Sequence, residues 1–97
     1  MNSVANETLV ARIKIFETVF SSPGMHESCK IVLSPSRQTI LVLARLIENG
    51  IDKKGPKHAD EMICFLPESS LNDLRAISEE LLRKGGLVEF YQHLKHL

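Results

Sequence analysis

Between Ser34 and Ile51 the chain crowds Ile40, Leu41, Val42, Leu43, Ala44, Leu46 and Ile47 into one segment, and any fold must find cover for most of it. The segment predicts a helix with its own start and stop. Ser34 or Ser36 can accept a bond from an otherwise orphaned backbone amide, and Pro35 suits a first helical position. Asn49-Gly50 is expected to end the helix, with Gly50 left-handed and Ile51 folding back onto the last turn. At about 3.6 residues per turn, Ile40, Leu43, Ala44, Leu46 and Ile47 share a broad apolar arc with Val42 near its edge. Arg37, Gln38, Arg45, Glu48 and Asn49 form a narrower polar strip, and Leu41 falls in the middle of it. Leu41, framed by Arg37 and Arg45, is therefore either an isolated surface leucine or a contact for a partner or a second copy of the chain.

The remaining segments are also mostly helical in pattern. Asn6 to Phe20 places Leu9, Ile13, Phe16 and Phe20 on one stripe, and Ser21-Ser22-Pro23-Gly24 stops it. Cys29 to Leu33 is short, β-branched in part and ends at Ser34-Pro35, which favours an extended segment. Asp52 to Asp60 reads as an exposed loop. Met62 to Leu66 can be helix or strand, because five residues hold too little periodicity to decide. From Ser69 a helix is expected with Leu74, Ile77 and Leu81 on one stripe and Leu71 and Leu82 beside it. Gly85-Gly86 closes it, and Leu87, Phe90, Tyr91, Leu94 and Leu97 give a short final helix its apolar face.

Ninety-seven residues with 43% hydrophobic content fit a single small globular domain, residues 1–97. Twelve basic residues balance twelve acidic ones. That balance removes the long-range attraction on which non-specific nucleic-acid and anionic-membrane binding relies, and it weakens repulsion between copies. Cys29 and Cys64 match no metal or redox spacing, and their apolar neighbours predict two buried, reduced thiols. Glu7, Arg12, Lys14 and Glu17 interrupt any signal-peptide core, and the apolar run Ile40 to Ala44 falls far short of the roughly 20 residues that span a bilayer. A cytoplasmic, soluble chain with no membrane partner is the expectation.

Chemistry-bearing patterns are sparse. Glu89, His93 and His96 share one side of the last helix at metal-compatible steps, yet they lack a fourth ligand, so solvated polar residues are the simpler account. Lys53, Lys54 and Lys57, with His58, are the one basic concentration and a candidate anion contact, without an aromatic platform for base stacking. Glu79 and Glu80 diverge on a helix; each can reach a cation four residues on, Arg83 or Lys84, for about 0.2 to 0.5 kcal/mol. No nucleophile elbow, paired-histidine zinc motif, phosphate loop or dinucleotide turn is present.

The sequence thus predicts a mainly α fold: a compact bundle of four or five short helices with one or two short extended segments. An α+β fold with a small two-stranded sheet, extended by dimerisation, is the alternative. No enzyme activity and no cofactor are expected. The favoured function is a small protein–protein interaction or self-associating module with Arg37, Leu41 and Arg45 as its contact. The alternative is a nucleic-acid-linked regulator acting through the Lys53 to His58 loop or a ribbon-helix-helix-like strand pair, whose outward residues Met62 to Leu66 are awkwardly apolar for groove reading.

Overall fold

The computed structural model describes residues 2–52 and 61–97 and is mainly helical. Five helices are present among the described residues: α1 (Asn2–Phe20), α2 (Arg37–Asp52), α3 (Glu61–Cys64), α4 (Glu68–Gly85) and α5 (Val88–Lys95). No strand occurs among them, so the small sheet is not needed. No helix of the described residues is long and apolar enough to cross a membrane. The chain divides into two compact units, Met1–Val32 and Leu33–Leu97.

The first unit is α1 and the turn that ends it. Ser21 and Ser22 direct their hydroxyls back to the carbonyls of Glu17 and Thr18, at 2.7 and 2.9 Å, and so satisfy acceptors that the last helical turn leaves open. Ile13, Phe16 and Phe20 are half-buried on the expected stripe, whereas Leu9 is exposed. Residues 27–36 carry neither helix nor strand. Ile31, Val32 and Leu33 are exposed there, because a single extended run with no second strand has nothing to pair with.

The second unit is built on α2, α4 and α5. Helix α2 starts where its cap dictates: the Thr39 amide donates to the Ser36 hydroxyl at 3.1 Å, and the Ile40 amide to the Ser36 carbonyl at 3.0 Å. Pro35 therefore precedes the cap and does not occupy the first helical position. At the other end the expected stop at Asn49-Gly50 fails. Gly50 is helical and not left-handed, and the helix continues to Asp52 because Ile51 is drawn into the core.

Gly85-Gly86 does act as a stop. Gly86 adopts a φ of 68°; its amide donates to the Arg83 carbonyl at 3.1 Å, and the Leu87 amide reaches the Leu82 carbonyl at 2.9 Å. This pair of bonds is a Schellman closure, with buried Leu87 supplying the accompanying apolar contact. Arg37, at the start of α2, donates from Nε to the Gly85 carbonyl at 2.9 Å, so α2 begins where α4 ends and the two helices run antiparallel. Helix α5 then turns back along α4.

The core joins Ile40 and Ala44 of α2, Leu82 of α4, and Leu87 and Tyr91 beside and on α5, with Leu41 and Leu81 packed against it. Ile40, Ala44, Ile47 and Ile51 recur at steps of four, three and four and form the inward stripe of α2. In α4 the buried line runs Leu71, Ser78, Leu82 with Leu74 and Leu81 flanking it; Ile77, expected inside, is 52% exposed. The stripe is rotated from the expected one toward the Leu71–Leu82 edge of α4. Phe90 and Leu97 of the expected α5 face are likewise exposed.

Met62 to Leu66 resolves into the one-turn helix α3 followed by turn bonds from Phe65 and Leu66 to the Met62 and Ile63 carbonyls. A strand there would require a partner, and local bonding satisfies the backbone without one. Both cysteines are free and exposed, against the expected burial: Cys29 lies in the unpaired stretch and Cys64 on the outer side of α3.

Candidate functional site

Two surface features flank Tyr91. The first is a cleft of about 210 Å³ between α2, α4 and α5, lined among others by Glu48, Ile51, Arg75, Ser78, Tyr91 and Lys95. Three of its polar groups, Glu48, Tyr91 and Lys95, are engaged with one another. The Tyr91 hydroxyl donates to Glu48 Oε2, and Lys95 Nζ sits 2.9 Å from Glu48 Oε1 and 5.8 Å from the centre of the Tyr91 ring. The Tyr91 hydrogen bond, aided by Lys95 and opposed by partial burial, holds the Glu48 carboxyl below the usual carboxylate range. Burial, and then the hydrogen bond to Glu48 and its charge, pushes the Tyr91 hydroxyl up. Arg75 is tied to Asn72 at 2.8 Å and lies 3.5 Å from Glu68. Glu48, Tyr91 and Lys95 hold α5 to α2.

The second feature lies on the outer side of α2. One groove of about 390 Å³ is lined by Leu41, Val42, Arg45, Leu46, Tyr91, Leu94 and Leu97. Another, of about 380 Å³, is lined by Gln38, Thr39, Val42, Leu43 and Leu46. Val42 and Leu46 line both, so they form the ridge between them. They are 52% and 63% exposed, and Leu43 beside them is exposed too. Large contiguous apolar patches are uncommon on the surfaces of monomeric proteins.

Of the residues singled out in the sequence, Leu41 and Arg45 line the larger groove together. Leu41 is half-buried against the core and is not the lone leucine of an outward polar strip. Arg37 is bonded to the Gly85 carbonyl. Arg45 is exposed, lines the first groove and acts electrostatically on Tyr91. Lys53, Lys54 and Lys57, with His58, lie outside the described residues. Glu89, His93 and His96 are each exposed, and no set of three or more His, Cys, Asp or Glu among the described residues is arranged to hold a metal ion. Arg83 pairs with Glu80 and not with Glu79.

Sequence reading missed the Glu48–Tyr91–Lys95 cluster and the outward turn of Val42, Leu43 and Leu46. The first carried a faint sign, since Tyr91 and Lys95 stand four apart on one helix. The second carried none, because α2 is apolar over too wide an arc for periodicity to choose its inner side. The chain matches no known protein family, no curated protein and no solved structure.

Proposed function

We propose that this chain is a non-enzymatic, cytoplasmic protein–protein interaction module whose contact face is the outer side of α2. The observation that supports it is the Val42–Leu46 ridge, apolar, exposed and bordered by two grooves. Exposing such a ridge costs solvation free energy, about 25 cal/mol per Å² of apolar area, which association recovers. Glu48, Tyr91 and Lys95 serve to dock α5 and so to build one wall of the groove. The proposed contact keeps Leu41 and Arg45, which line the larger groove, and adds Val42, Leu43 and Leu46.

A photo-crosslinking amino acid in place of Leu46, compared in cells with the same group in place of Glu80 on α4, tests the reading. Discrete adducts from position 46 and none from position 80 are expected. Absence of adducts at 46, or the same adducts at both positions, would sink it.

A further inference from the structure

We propose that the cleft between α2, α4 and α5 binds a small aliphatic ammonium ion, a primary amine or an α,ω-diamine. The site is separate from the α2 ridge, since neither Val42 nor Leu46 lines it. Ser78 is the residue that points to a ligand. It stands on the buried line of α4 between Leu71 and Leu82, where an apolar side chain would pack, and it is only 8% exposed. Among the described residues its hydroxyl has no hydrogen-bond partner. No polar side-chain atom among them is both sealed from solvent and unbonded, so this hydroxyl opens into the cleft that Ser78 lines. A nearly buried hydroxyl without a partner is unfavourable, and a ligand that bonds to it removes the penalty.

The charges around Ser78 select the ligand. Carboxylates of Glu48, Asp52 and Glu79 line the cleft against the cations Arg75 and Lys95. Glu48 is taken by Tyr91 and Lys95, and Arg75 turns back to Asn72 and Glu68 and not forward to Glu79, four residues on. Asp52 and Glu79 have no ion pair among the described residues, so the unmatched charge of the cleft is negative. An anion would be repelled. A metal ion fits no better, because no three His, Cys, Asp or Glu among the described residues are arranged to hold one. An organic ammonium meets both requirements. Its three N–H donors suit the Glu79 carboxylate and the adjacent Ser78 hydroxyl, and its alkyl body suits Ile47, Ile51 and Leu82 in the same lining. Asp52, on α2, remains for the second ammonium of a diamine. The cleft of about 210 Å³ equals roughly seven waters at about 30 Å³ each, which admits a short alkylamine and excludes a nucleotide or a peptide helix.

Amide chemical-shift titration of the full chain with butylamine and with 1,4-diaminobutane tests this, at about 20 mM salt, where screening is weak. Sodium chloride at matched ionic strength and sodium butyrate are the references. Saturable shifts around Ser78 and Glu79 are expected from the amines, with no such response to either reference. Tighter binding of the diamine and equal binding of the two amines both support the site, the first with Asp52 engaged and the second with Glu79 and Ser78 alone. Glu79→Gln and Ser78→Ala should each raise the Kd about 10-fold, whereas Ile77→Gln, on the exposed side of α4, should leave it as it was. Without ligand, Ser78→Ala should keep or raise the thermal midpoint, because the hydroxyl bonds nothing in the free chain and alanine is the better helix former. No saturable shift from either amine, the same shifts from sodium chloride or butyrate, or a Kd unchanged in both Glu79→Gln and Ser78→Ala overturns the proposal. So does a lowered midpoint of ligand-free Ser78→Ala, which would show the hydroxyl already engaged within the fold.

Discussion

The Tyr91 hydroxyl donates its hydrogen to the Glu48 carboxylate and thereby fastens α5 across α2, next to the face on which association is proposed. Tyr91 is almost wholly buried and borders both the polar cleft and the larger apolar groove, so its ring supports the groove wall while its hydroxyl holds the wall in position. Tyr91→Phe keeps the ring and removes the bond. It should cost about 1 to 2 kcal/mol at neutral pH, read as a fall in the urea midpoint.

The same bond gives that cost a pH dependence. Glu48 titrates lower in the folded chain than in the unfolded one, so its contribution is complete above the ordinary carboxylate value near about 4.3 and is lost as pH falls through the depressed one. Tyr91 titrates higher when folded, so its contribution is complete below about 10 and is lost as pH rises through the raised value. The stability gap between wild type and Tyr91→Phe should therefore be widest between these limits and shrink at both ends. A gap that stays flat into acid would show that the bond does not depend on the charge of Glu48.

Two glycines should respond in opposite directions to alanine. Gly86 sits at a φ of 68°, where a Cβ also meets the Arg37 guanidinium at 3.1 Å, so Gly86→Ala should lose about 1 to 2 kcal/mol. Gly50 is helical, and a Cβ there would stand 3.6 Å from Ile63 Cδ1, an ordinary contact. Gly50→Ala should gain about 0.5 to 1 kcal/mol by restricting the unfolded chain. Thermal midpoints of the two variants, measured side by side, check the pair.

Ser36 and Ser34 are separated by their caps. Ser36→Ala removes the acceptor of the Thr39 amide and should cost about 1 kcal/mol, whereas Ser34→Ala should stay within about 0.5 kcal/mol of wild type. Equal losses in chemical denaturation would contradict this cap.

Leu41 and Leu46 make the sharpest contrast on α2. Leu41→Glu presses a carboxylate against the core and should destabilise the fold by about 1 to 3 kcal/mol. Leu46→Glu points into solvent and should change the folding free energy of the monomer by less than about 0.5 kcal/mol. Denaturation at low concentration, where association is minimal, compares them directly.

What the sequence determined by itself was local. Serine at position 36, the Ser21 to Gly24 break and the Gly85-Gly86 pair mark helix ends through backbone bonds and backbone geometry that need no distant partner. Even there Gly50 misled, because a glycine only permits the left-handed turn, and buried Ile51 made one further helical turn more favourable than stopping. The mainly helical class followed from these ends and from the spacing of leucines in α4 and α5.

Which side of each helix faces inward was decided by the tertiary structure. Along α2 the apolar arc is broad, so burying its Ile40, Ala44 and Ile51 side or its Leu43 and Leu46 side satisfies the periodicity almost equally. The tie is broken by contacts remote in the chain: Arg37 on the Gly85 carbonyl at one end, and Glu48 with Tyr91 and Lys95 further along. Those bonds rotate α2 until Leu41 meets the core and Val42, Leu43 and Leu46 face out. Helical spacing records how far apart side chains lie around an axis, and only the neighbouring helices supply the direction from which that angle is measured.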